Sequence, residues 1–168
     1  NCGRYGILIS IGRILGAAGD VAIDLSFIAG LLLFLLNHLV DIYAFRFSGP
    51  KFSIPCLLFG CLYFTLMMLA LITAVPGDLI VPVIIYAIVL IYSACMATMR
   101  GLSGRGVSMP SKLFGAVGAW VFVISDTLLA FRLFRDPKWN NPIVGLGDLV
   151  MITYYVHRPI VHSLLLVH

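Results

Sequence analysis

Read along the chain, apolar positions gather into six long blocks separated by short polar breaks. The blocks cover roughly 5–25, 27–47, 53–75, 79–99, 112–134 and 146–167, each close to the twenty or so residues a helix needs to cross a hydrocarbon core. Turn chemistry fills four breaks, SGPKFS at 48–53, VPGD at 75–78, RGLSGRG at 101–107 and RDPKWNNP at 135–142. The first break, near Leu25 and Ser26, is poorly marked. Strands of a membrane barrel would alternate in polarity over about ten residues, and these blocks do not. The pattern therefore predicts an all-α, polytopic transmembrane bundle of six spans, forming one domain over residues 1–168.

Polar residues inside these blocks change the picture. The stretch AAGDVAIDLSFIAGLLLFLLNHLVDIYAF at 17–45 holds Asp20, Asp24, Asn37, His38 and Asp41, and the fifth block holds Asp126. An ionisable group at membrane depth is costly, and it normally faces a partner or a wet cavity. These groups are therefore expected to meet inside the bundle and form a site.

Composition agrees with a membrane protein: 61% of the 168 residues are hydrophobic and 11% charged, against about 25% charged in soluble domains. All seven acids are Asp. The net charge is +4, but the eleven Lys and Arg lie mostly at the ends of blocks, as loop anchors do; this argues against a nucleic-acid surface. Arg4, Arg46, Lys51, Arg100, Arg105 and Lys112 fall on one side, and Arg132, Arg135 and Lys138 on the other. That bias puts both termini in the cytoplasm. No cleavable signal peptide is visible. Cys2, Cys56, Cys61 and Cys95 lack metal-like spacing and read as free, small core residues.

Depth groups the candidates further. At about 1.5 Å per residue from the non-cytoplasmic helix ends, Asp20 lies roughly 9 Å in, and Asp126, Tyr154 and Tyr155 roughly 12 Å in. Asn37 and His38 lie roughly 16–18 Å in by the same count. Four helices thus bring polar groups into one slab. A short internal similarity, AAGDVAIDL against VISDTLLAF, would set the two Asp residues near each other across a pseudo-axis.

Each candidate also has a plainer reading. Asp20 could pair with Arg13, two turns away on its own helix. Asn37 and Asp41 share a face with His38 adjacent, an arrangement that suits either proton handling or an interhelical polar clasp. Asp126 has no basic residue within two turns before it; apolar surroundings favour a neutral carboxyl that can give a proton. A zinc site from His38, His157 and the acids has no supporting ligand spacing. Gly101–Gly106 lacks the features of a phosphate loop.

Several motifs in order resemble the YhhN family of lysoplasmalogenase-like membrane proteins. They are Gly19-Asp20; Gly30, Phe34, His38, Tyr43 and Phe45; Ser125 to Phe131; and Thr153-Tyr154-Tyr155. Family members often follow the Tyr pair with two small residues and Gln, where this chain has Val156-His157-Arg158. The resemblance implies about eight helices, so the six blocks correspond to the C-terminal three-quarters of such a fold, the N-terminal helices being absent. It implies an integral protein of the endoplasmic reticulum in a eukaryote or of the inner membrane in a bacterium.

It also implies hydrolysis of the vinyl ether bond of lysoplasmalogens to a fatty aldehyde and glycerophospho-ethanolamine or -choline, without cofactor or metal. The expected partners are a lysophospholipid substrate and membrane lipid. Under that reading Asp126 is the proton donor and Asp20 the anion that stabilises the cation and orients water, although these two roles could be exchanged. His38 assists catalysis, while Asn37, Asp41, Tyr154 and Tyr155 bind the substrate. The rival reading of the same acids is a proton-coupled transporter or channel.

Overall fold

The computed structural model describes residues 2–47, 49–102 and 109–135. Among these, five helices are long and apolar enough to cross a membrane: α1 (Cys2–Leu25), α2 (Phe27–Arg46), α3 (Ile54–Leu71), α4 (Ile80–Leu102) and α5 (Met109–Ala130). The last continues into one π-helical turn, Phe131–Arg135. Five spans are found where six were expected, because the sixth block, 146–167, lies outside the described residues together with Tyr154 and Tyr155.

The break between α1 and α2 needs a single residue. Ser26 is extended (φ −157°, ψ 117°), and its hydroxyl accepts from the Ala29 backbone N–H at 3.5 Å. A serine in this position supplies the acceptor that the first turn of a helix otherwise lacks. The chain can then fold straight back, because Gly30 has no side chain: a methyl group there would stand 2.6–2.8 Å from Ile23 Cβ, Cα and N. A glycine face continues this close approach along α1. The Phe34 ring lies against Gly19, and Asn37 and Asp41 lie against Gly12. In lipid the hydrophobic drive between helices is absent, so small residues that admit close backbone contact hold the pair together.

α3 stops at Leu71, short of the expected 75. Ala74 and Val75 donate back to Leu71 O in tight turns, and Pro76 disfavours helical geometry in the residue before it. Arg135 from the π-helical turn donates to Ala70 O, capping a carbonyl that the end of α3 leaves without an intrahelical donor.

α4 is the buried centre of the bundle, with Leu90, Ile91, Ala94, Cys95, Met96, Ala97 and Met99 inside. It packs against α2, α3 and α5. Gly60 brings α3 so close that a methyl group there would be 2.7 Å from Cys95 Sγ. Cys95 is buried and Cys56 half-buried, whereas Cys61 is exposed; all three are free thiols.

The exposed surface carries the opposite character from that of a soluble protein. Ile28, Leu32, Leu36, Leu39 and Tyr43 form one exposed stripe on α2, and Leu58, Leu62, Leu66 and Leu69 form another on α3. Asn37, His38, Asp41 and Arg100 are buried. Apolar side chains outside and ionisable ones inside suit a bundle whose solvent is hydrocarbon.

One reading of the basic residues is corrected. Arg100 is no loop anchor: it is 3% exposed within α4, and its guanidinium lies 4.5 Å from the centre of the Tyr5 ring. A cation over an aromatic face is favourable, the more so once both are desolvated.

Candidate active site

Asp126 stands in the last quarter of α5, at a place where α4 presents Tyr86. The Tyr86 hydroxyl donates a hydrogen bond to Asp126 Oδ2. Asp20, from α1, is close enough to act electrostatically on Asp126. The charges of two carboxyls from separate helices thus act on one another, with a phenol fixed to one of them.

Beside Asp126 lies a pocket of about 60 Å³. Ile23, Phe27, Leu31, Phe34 and Val83 form part of its wall, and Leu129, Ala130, Leu133 and Phe134 form the α5 side. Among the described residues, Asp126 and Tyr86 alone bring polar side chains to this lining. The π-helical turn puts Leu133 and Phe134 in the wall, and Phe134 meets Phe27 edge to face, centroids 5.5 Å apart. Single π turns inside α-helices recur at functional sites. The space can take a few carbons of an apolar group and present them to a carboxyl group.

His38 is buried against Tyr86. The two ring centroids are 6.0 Å apart, and His38 packs edge to face on Phe122 at 5.2 Å. Polar side chains continue from there along α2. Asn37 and Asp41 are 5% and 6% exposed, and neither Asn37 Oδ1 nor Asp41 Oδ1 has a hydrogen-bond partner among the described residues. The Arg13 charge acts on Asp41 and on Tyr5.

The arrangement thus brings Asp126 and His38 against Tyr86, with Asn37 and Asp41 beside His38 on α2. Among the described residues, no three His, Cys, Asp or Glu side chains are placed to hold a metal ion.

Tyr86 was missed in the sequence because tyrosine in an apolar run is unremarkable. Depth would have found it. Counted from Ile80, Tyr86 lies roughly 9 Å along α4, in the slab already assigned to Asp20 and Asp126.

Comparison with known proteins adds an independent line. Residues 1–163 match the YhhN family. The chain is 27% identical over 184 residues to a lysoplasmalogenase homolog of Dictyostelium discoideum, covering 90% of this chain and 60% of that protein. It is 28% identical over 158 residues to the human lysoplasmalogenase TMEM86B, covering 91% of this chain and 61% of that one. The chain thus spans about three-fifths of the length of these relatives. No solved structure matches it.

Proposed function

Because the chain belongs to the YhhN family, we propose that it is a membrane hydrolase that cleaves the vinyl ether bond of lysoplasmalogens. The observation that carries this reading is Asp126 in the wall of an apolar pocket, with the charge of Asp20 acting on it from α1. Two-carboxyl hydrolases divide the work between one protonated acid and one anion.

The steps then balance without a cofactor. The aliphatic chain enters the apolar pocket with its first carbons, its vinyl ether at Asp126. Asp126 gives its proton to the β-carbon, converting the double bond to an oxocarbenium ion. Asp20 stabilises that cation and takes a proton from the water that attacks the carbon bonded to oxygen. The resulting hemiacetal collapses to an aldehyde, and the glycerol oxygen leaves with a proton. One water is consumed, and the acid regains its proton from the pair. His38 supports the geometry through Tyr86. Asn37 and Asp41 lie toward the polar end of the substrate, beyond Tyr86 from the pocket.

A second reading has its own observation. The polar file of Asp126, Tyr86, His38, Asn37, Asp41 and Arg13 runs along the bundle, as a proton relay of a transporter would. Two substrates separate the readings. Incubation of purified protein with a lysoplasmenyl lipid and with its saturated ether analogue is expected to give fatty aldehyde from the first alone. Proton-driven uptake into liposomes without aldehyde would favour the transporter and overturn the hydrolase.

A further inference from the structure

Tyr86 belongs to neither the acid pair nor the apolar lining proper, yet it joins them. Its ring packs with the core and with the pocket, and its hydroxyl reaches Asp126 Oδ2 from a different helix. A neutral carboxyl carries its proton on one oxygen only, and the other is then a carbonyl acceptor. A phenol that donates to Oδ2 selects that oxygen as the acceptor.

Resting on the hydrolase reading above, we propose that Tyr86 is a positioning residue that confines the transferable proton of Asp126 to Oδ1. The donor oxygen is thereby chosen by α4 before substrate arrives. His38 packs against the same ring, centroids 6.0 Å apart and planes tilted by 52°, and Val83 and Ala87 are buried on α4 near Tyr86 in the chain. The phenol is therefore held by packing on the helix face that also lines the pocket. Proton transfer to carbon needs near-attack alignment between donor and β-carbon, and misplacement by about 1 Å can cost on the order of a hundredfold in rate. Removing one hydroxyl should exact a penalty of that kind while leaving the apolar pocket, and so binding of the chain, as it was.

Tyr86→Phe tests this with two readouts. Aldehyde release is expected to fall on the order of a hundredfold in kcat with KM for the lysoplasmenyl lipid unchanged. The infrared C=O stretch of protonated Asp126, identified by its disappearance in Asp126→Asn, is expected to shift to higher frequency when the phenol no longer donates to it. A normal kcat or an unmoved band overturns the proposal. Should Tyr86→Phe fail to fold, 3-fluorotyrosine at position 86 keeps ring and hydrogen bond while altering donor strength; an unmoved band there overturns it equally. If the unsubstituted protein releases no aldehyde, the hydrolase reading falls and this role with it. Aldehyde from that protein with an undiminished Tyr86→Phe rate overturns the role of Tyr86 alone.

Discussion

A methyl group on Gly12 of α1 would stand 2.9 Å from Asp41 Oδ1 on α2, and equally close to Asn37 Oδ1. The carboxyl and the amide thus rest directly on the α1 backbone, in a space that only glycine leaves open. Gly16, one turn on, is different: a methyl there would be 3.8 Å from Asn37, an ordinary contact. Gly12→Ala is therefore expected to destabilise the protein by about 1–3 kcal/mol through overpacking, and Gly16→Ala to be close to neutral. Thermal unfolding in detergent ranks the two, and equal midpoints would contradict the packing described.

The elbow between α1 and α2 should be less forgiving. The atoms that a Gly30 methyl would meet include Ile23 N and Cα, which cannot rotate away as a side chain can. Gly30→Ala is expected to lower the unfolding midpoint more than Gly12→Ala. Ser26→Ala, which removes only the cap, is expected to cost about 1 kcal/mol. The same detergent melts give the order.

The pocket offers a test of substrate placement. Ala130 lies in its wall, beside Leu133 and Phe134, so Ala130→Phe should fill much of a space of about 60 Å³. Turnover of long-chain lysoplasmenyl lipid is expected to fall at least about tenfold, mostly through KM, because what is lost is binding common to ground and transition states. A short-chain vinyl ether should be spared. Equal losses on both substrates would place the chain elsewhere.

Much of this was legible in the sequence, for identifiable reasons. Apolar block length marked α1, α2, α4 and α5 to within a few residues, since a span needs continuous apolar sequence. Asp20, His38 and Asp126 stood out because an ionisable residue in such a block is conspicuous. The elbow at Ser26 was faint because one serine and one glycine suffice to build it. Arg100 misled because basic residues near helix ends usually anchor loops; here the guanidinium lies inside, over the ring of Tyr5 from a helix far away in sequence. Tyr86 was invisible for a related reason, since only the fold reveals that its hydroxyl meets Asp126. The sixth block, with Tyr154 and Tyr155, lies outside the described residues.

The central claim is that Asp20 and Asp126 act as one unit on a vinyl ether. It is tested most directly by aldehyde release from Asp20→Asn, Asp126→Asn and the double variant, each first shown to be folded in detergent. Each single substitution is expected to abolish turnover, with the double variant no worse than either, as happens when residues work together. Near-normal aldehyde release from either single variant would contradict the account.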